Sequence, residues 1–321
     1  MKNNFKVSAI IPIYNRANDI HVTLNSLLNQ SIKFYEIIAV DDGSDDNTVN
    51  IIKEFVNIYK EIKLIETNNF ETDGRIIARN IGARMATGDL LAFIESDCEL
   101  NRDWLKNILI GFQNGYEAAL DRRRSYYPKT FIGKMEDHFL DMRLTHNYKP
   151  YVAWVISKSI FMKLGLYDEG VLGFEDVEFG HRLMSSGYKI YFSQDSIMYH
   201  MGEPHTFKQA FKRNFWFGSH IIPYLKKIGF RRNKKYYLKA FIFIFSPFLL
   251  IWPLIFLALI FLLYLYIFQG DLRKGIKLKY LFIHPIYYLI VNEYAHYLGL
   301  IYSLIFCKAP LSARTNDAQY K

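Results

Sequence analysis

Between Val7 and Ile94, short apolar runs alternate with stretches of helical periodicity, and that alternation constrains the fold more than any other feature. The runs Val7–Pro12, Glu36–Val40, Ile62–Ile65 and Leu90–Ile94 have the length and flanking turn residues of buried strands. Helices are expected between them: from about Ala17 to Leu28, along Val49, Ile52, Phe55, Val56 and Tyr59, and over Gly74–Met85. Repeated strand–helix–strand units require right-handed crossovers, and so a mostly parallel sheet. Open sheets of this kind bind ligands beyond the carboxyl ends of their strands. The order is that of a nucleotide-binding α/β domain.

The turn after the first strand reads IPIYNRAND and lacks the G-x-G-x-x-G of a dinucleotide fold. No G-K-[ST] occurs, so a P-loop is absent as well. Without glycines a diphosphate needs another partner, and a divalent metal held by carboxylates is the obvious one. Acids stand where such a metal would be held. The run Leu90–Ile94 ends in Glu95, Asp97 and Glu99, and Asp41 and Asp42 end the second strand within DDGSDDNT. Each has a plain structural reading too: a solvated turn, an Asp-Gly turn, or Asp45 or Asp46 capping the next helix. As strand residues two apart, Glu95 and Asp97 are expected to point to one side. Hard oxygen ligands suit Mg²⁺ or Mn²⁺. Cys98 reads as a small buried residue; it and Cys307 are too few for a disulfide framework.

The stretches VSAIIPIYNR, IIAVDDGSDDNT, ARNIGARMATGDLLAFIESD and GFEDVEFGHRL stand in the order and approximate spacing of the inverting family-2 glycosyltransferases. From about residue 5 to 220 the chain resembles that family, whose fold is GT-A. The resemblance implies a nucleotide-sugar site with Pro12, Tyr14, Asp42, Arg79, Glu95 and Asp97, Asp42 contacting the base. It puts the family's D-x-D on Glu95-Ser96-Asp97, with Glu in the first position, and makes Asp97 and Glu95 metal ligands. The family's E-D motif falls on Glu175 and Asp176, with Asp176 the general base. Acids are also favoured at a helix N-terminus by its dipole, and crowding by Glu175 and Glu178 raises carboxylate pKa values. His200, closing an expected strand, is a candidate third metal ligand, with His205 a weaker one. Gln209, Arg213 and Trp216 are candidates near acceptor and diphosphate, although QAFKRNFW does not match the Q-x-x-R-W of processive synthases.

Between these motifs, DRRRSYYPK reads as a basic loop with Arg122–Arg124 a solubilising run, and TFIGKMEDHFLDMRLTH as a helix with Met135, Phe139 and Met142 inward. Arg182 is expected to pair with the neighbouring acids. Beyond Lys239 the composition changes. Ala240–Phe268 carries no charge, and Tyr280–Phe306 has Glu293 as its sole carboxylate. As one helix the first stretch would be about 43 Å long, more than a bilayer core needs. Positive flanks at Arg231–Lys239 and Arg273–Lys279 fit a re-entrant segment better than one crossing, although a tilted span stays open. Asn292, His296, Gly299 and Ser303 share one helical face, for packing on another helix or for a lipid-linked acceptor.

The expectation is an α/β GT-A domain with a mostly parallel mixed sheet over 1–230, its nucleotide half at about 1–120 and its acceptor half at about 121–230. Membrane-associated helices over 231–306 and a polar tail over 307–321 would follow. With no signal peptide recognised in the N-terminal stretch, the catalytic domain is expected on the cytoplasmic side of the cell membrane. Expected partners are a nucleotide-sugar donor, UDP-sugar favoured, and a lipid-linked or glycan acceptor, with no nucleic acid. Transfer to polyprenyl phosphate, or an inactive glycan-binding scaffold, are the alternatives.

Overall fold

The computed structural model describes residues 5–67, 74–126, 128–145, 154–229, 234–245, 287, 291 and 293–306. They form two compact units, one ending at His205 and the other running from Thr206 to Pro310.

The first unit is built on an eight-stranded mixed sheet in the order β3-β2-β1-β4-β7-β6-β8-β5. Its strands are β1 (Val7–Ile13), β2 (Glu36–Asp41), β3 (Ile62–Glu66), β4 (Leu90–Phe93), β5 (Cys98–Leu100), β6 (Ala118–Ser125), β7 (Val155–Ser157) and β8 (Ile190–His200). Pairing is parallel from β3 through β2 and β1 to β4, as the alternation demands, and again between β6 and β8. It is antiparallel at β4–β7, β6–β7 and β5–β8. Helices α1 (Ile20–Leu28), α2 (Thr48–Ile58), α3 (Gly74–Met85), α4 (Trp104–Gln113), α5 (Phe131–Thr145), α6 (Lys158–Lys163) and α7 (Glu175–Ser185) complete the unit.

Burial on both faces explains the near-continuous apolar strands. Ala9, Ile11, Ile13, Ile37, Ala39 and Ala92 join one core with Leu24 and Trp104. Their neighbours Ile10, Ile38, Val40, Leu91 and Phe93 join a second core with Phe161, Tyr167 and Phe179. The chain steps from β1 to β2 and β3 on one side and returns to β4 on the other. The switch point thus lies between β1 and β4, where Arg16 and the residues after Phe93 emerge.

Three local expectations change. Pro12 lies inside β1 rather than ending it. Residues 17–19 form a turn, with the amides of Asp19 and Ile20 both donating to the Arg16 carbonyl, so α1 starts at Ile20 rather than Ala17. Arg122–Arg124 is not a loop: it lies in β6, paired with Ile197–Tyr199 of β8 after a register shift at Asp121.

The second unit contains α8 (Phe207–Ile228), α9 (Lys234–Phe245) and α10 (Ala295–Phe306). α8 and α10 cross backbone to backbone. A Cβ on Gly218 would stand 1.7 Å from the His296 carbonyl oxygen, and one on Gly299 2.0 Å from that of Phe215. The small stripe of the C-terminal segment is therefore a helix-packing surface. This contact lies inside the second unit, which begins at Thr206. α9 is tied to the α10 end by Lys239 Nζ to Glu293 Oε1 at 2.9 Å and by Tyr236 to His296. Among the described residues no helix is long and apolar enough to cross a membrane. Residues 246–286 and 307–321 lie outside them, and with them most of Ala240–Phe268, part of Tyr280–Phe306 and the expected polar tail.

Candidate active site

At the switch point, Asn15 adopts a left-handed backbone (φ 51°), which Asn tolerates better than most residues. Its amide donates to Ser44 Oγ and its side-chain oxygen accepts from the Asp45 amide, locking the β1 turn to the β2 turn. Asp41 spends its carboxylate on that second turn, accepting from the amides of Gly43 and Ser44 and from Ser44 Oγ. Asp46 accepts from the Thr48 amide at the start of α2. Asp42 is buried beside them. Its carboxylate lies against Gly74, where a Cβ would come within 1.6 Å of Oδ2, so a larger residue at the start of α3 would have to displace that carboxylate. Pro12 is buried and Tyr14 half-buried at the same edge.

Glu95 and Asp97 converge, but not because they share a strand: residues 94–97 are a turn between β4 and β5. Thr23 of α1 shapes that turn, donating its hydroxyl to the Ser96 carbonyl and accepting from the Cys98 amide. β8 then delivers His200 opposite Cys98. His200 Nε2 lies 2.8 Å from Glu95 Oε2 and 3.2 Å from Asp97 Oδ1. Ligand atoms of Glu95, Asp97, Cys98 and His200 all fall within 4.8 Å of one another. Two carboxylates and an imidazole are a fitting donor set for Mn²⁺ or Mg²⁺. Cys98 is a poor fourth donor, because burial first and then the nearby acids push its thiol well above its usual pKa and keep it protonated. Burial pushes Asp97 up, but His200 and then Arg16 outweigh it and hold the carboxyl well below the usual carboxylate range.

Three arginines surround the acids. Arg16 reaches to 3.7 Å from Asp97 Oδ2, and Arg123 Nη2 contacts Glu95 Oε2. Arg123 also lies over the Trp154 ring, 5.6 Å from its centre. Its neighbour Arg124 grips Asp137 of α5 through Nε and Nη2, at 2.9 and 2.6 Å. The run expected to solubilise a loop thus contributes one cation to the acid cluster and one to packing. Arg79, buried on α3, bridges the cluster to the far side. Its Nη1 donates to Glu175 Oε1 at 2.7 Å, and its Nη2 is 3.8 Å from Glu95 Oε1.

Glu175 and Asp176 open α7, with Glu178 in the same turn. Arg182 pairs with Glu178, both Nε contacts at 3.0 Å, as the spacing suggests. Glu175 is buried against Arg79, while Asp176 is half-buried. Burial, and then the Glu175 charge, raise the Asp176 carboxyl to about 6, against the pull of Arg79. Two buried polar atoms here, Glu175 Oε2 and Arg79 Nε, have no hydrogen-bond partner among the described residues.

The first unit therefore brings together Asp42, Arg79, Glu95, Asp97, Glu175, Asp176 and His200. His205 is not in the acid cluster; its carbonyl accepts from Thr130. Gln209, Arg213 and Trp216 lie on α8 of the second unit. There Gln209 forms a capping box with Thr206, and the buried Trp216 packs tilted against His220, ring centres 4.4 Å apart. Sequence reasoning missed Arg16, Arg123 and Gly74, and also Gly202 and Glu203, which turn back on Asp97 and His200. The arginine in IPIYNR and the glycine and glutamate directly after His200 were visible, but nothing in their spacing announced convergence.

An acid cluster at a sheet switch point, linked by a buried arginine to a second pair of acids, sits here in an α/β domain of GT-A-like fold with a mixed sheet. Residues 8–166 match the family model described as Glycosyl transferase family 2. The chain is 27% identical over 237 residues to glycosyltransferase AglE of Haloferax volcanii, covering 70% of this chain and 77% of that one. It is 38% identical over 100 residues to the uncharacterized glycosyltransferase YibD of Escherichia coli, covering 31% of this chain and only 28% of that relative. In fold it resembles GalNAc-T7, solved with UDP, GalNAc and Mn²⁺, at a TM-score of 0.50 and 19% identity, over 68% of this chain and 51% of that one.

Proposed function

We propose that this chain is an inverting glycosyltransferase. It moves one sugar from a nucleotide-diphosphate donor, UDP-sugar favoured, to a hydroxyl of a lipid-linked or surface-glycan acceptor. The carrying observation is the Arg79 bridge, which ties Glu95 of the acid cluster to Glu175, the neighbour of a carboxyl raised to about 6. The fold shared with GalNAc-T7, solved with UDP, GalNAc and Mn²⁺, supports this choice of ligand class.

In this reading Asp42 and Tyr14 hold the nucleoside beside the β2 edge, and Arg16 and Arg123 face the diphosphate. A divalent cation held by Asp97, Glu95 and His200 would offset the diphosphate charge and stabilise the leaving nucleotide. Asp176 takes the proton from the acceptor hydroxyl as that oxygen bonds to the anomeric carbon. The bond from that carbon to the diphosphate breaks, and the nucleotide leaves with its electron pair. Glu175 Oε2, buried and unpartnered, accepts from a substrate hydroxyl and fixes its orientation. A base poised near 6 is ionised at neutral pH yet basic enough to share a proton. The uncharged Ala240–Phe268 stretch and its basic flanks support attachment to the cytoplasmic face of the cell membrane.

Asp176→Asn tests the assignment, because it keeps shape and removes the proton acceptor. Turnover on a panel of UDP-sugars should fall on the order of 10²–10⁴-fold, with calorimetric UDP binding unchanged. The parent's acid limb should lie near 6. Parental turnover in Asp176→Asn, or turnover lost only in Glu175→Gln, refutes Asp176 as the base.

A further inference from the structure

Arg79 has a buried neighbour on α3, Asn80, whose side chain meets the segment leading into α7. The Tyr167 amide donates to Asn80 Oδ1 at 3.1 Å, and Asn80 Nδ2 donates to the Tyr167 carbonyl at 3.0 Å. Nδ2 also donates to Glu169 Oε1 at 3.0 Å. A side-chain amide carries an acceptor and two donors side by side, so it can take the N–H and serve the C=O of one residue; an ionised carboxylate has no donor for the second bond. The clamped segment is one that needs holding. Gly165 and Leu166 both take left-handed backbones, with φ of 90° and 66°. A residue other than glycine keeps that conformation only where its surroundings enforce it. Arg182 of α7 does so from one side, donating to the carbonyls of Leu164 and Leu166, the second at 2.6 Å. Asn80 does so from the other.

Tyr167 carries the clamp to the acids. Its ring meets Phe179 of α7 edge to face, ring centres 5.4 Å apart, and meets Phe93 and Phe161 at 5.0 Å each. Phe179 stands one turn after Glu175, on the same face of α7. We propose that Asn80 is a positioning residue: by clamping Tyr167 it fixes the first turn of α7, and with it the place of Glu175 and Asp176 relative to the acid cluster. This rests on the reading of Asp176 as the base given above. Asn80 acts through Tyr167 and not on substrate. α3 thus holds α7 twice, through Arg79 on Glu175 and through Asn80 on the segment before it. A misplacement of about 1 Å at reacting groups can cost on the order of 10²-fold in rate.

The test uses the full chain, a panel of UDP-sugars and hydrogen exchange read by mass spectrometry. In Asn80→Asp the carboxylate still accepts from the Tyr167 amide, but donation to the Tyr167 carbonyl is lost and a second negative charge faces Glu169. Turnover at saturating donor should fall on the order of 10²-fold while calorimetric UDP binding stays at the parent's value, a split that general loss of fold would not produce. Exchange should quicken over residues 164–178 and stay parental over α1 and α2. Glu169→Ala, at an exposed side chain, removes one of the three contacts and should lower turnover by a smaller factor. Parental turnover in Asn80→Asp overturns the proposal, and so does parental turnover in Glu169→Ala if Asn80→Asp fails to fold. Parental exchange over 164–178 overturns it too, as does UDP binding that falls in step with turnover. A parent that turns over no UDP-sugar, while Asn80→Asp still loosens 164–178, overturns the glycosyltransferase reading and leaves the clamp no base to position.

Discussion

Asp121 offers a clean test of how the first unit buries charge. Trp104, fully buried at the start of α4, donates from Nε1 to Asp121 Oδ2 at 2.9 Å. Oδ1 has no hydrogen-bond partner among the described residues. Burial lifts this carboxyl from an ordinary 3.8 to about 7, outweighing the hydrogen bond from Trp104. The folded chain thus keeps a proton that the unfolded chain has lost between those two values. The associated stability is fully present below the unfolded pKa and is lost as pH rises through the folded one. At about 1.4 kcal/mol per factor of ten in proton affinity, the gap amounts to about 4 kcal/mol. Asp121→Asn removes the titration and keeps an oxygen for Trp104. The unfolding free energy of the variant minus that of the parent should therefore rise by about 4 kcal/mol between about pH 4 and about pH 7, then level off. Urea unfolding of both proteins, followed by tryptophan fluorescence and far-UV circular dichroism, gives that difference at each pH. A flat difference across this window would refute the claim that the carboxyl is buried without a charge partner.

Two further outcomes follow from the site and the sequence. Asp97→Asn removes the negative charge that faces His200 and Arg16, so Mn²⁺-dependent UDP binding should weaken by at least about 10-fold in calorimetry, and undiminished binding would remove Asp97 from the metal site. If the proposed membrane attachment holds, the full chain should sediment with membranes through high salt and carbonate, which screening of surface charge does not reverse; release by salt alone would leave only the basic flanks as the attachment.

The parallel half of the sheet was legible because burial on both faces demands continuous apolar runs, and Val7–Ile13, Glu36–Asp41 and Leu90–Phe93 have them. The acids of the cluster were legible through the resemblance of four motifs in order, since carboxylates after a buried run read equally well as a solvated turn by themselves. Arg123 was not, since three consecutive arginines look solvated, and only pairing of β6 with β8 turns one of them toward Glu95. The Arg79–Glu175 pair joins residues 96 positions apart, which no local pattern encodes. Asn80 escaped because the backbone it clamps, at Tyr167, lies 87 positions away. The close packing of α8 against α10 escaped because Gly218 and Gly299, which allow it, lie 81 positions apart.

The ion pair between Lys239 and Glu293 closes a circuit of 54 positions. Lys239 and Glu293 are held together, so the two ends of that circuit share one environment: whatever medium surrounds one of these charges surrounds the other.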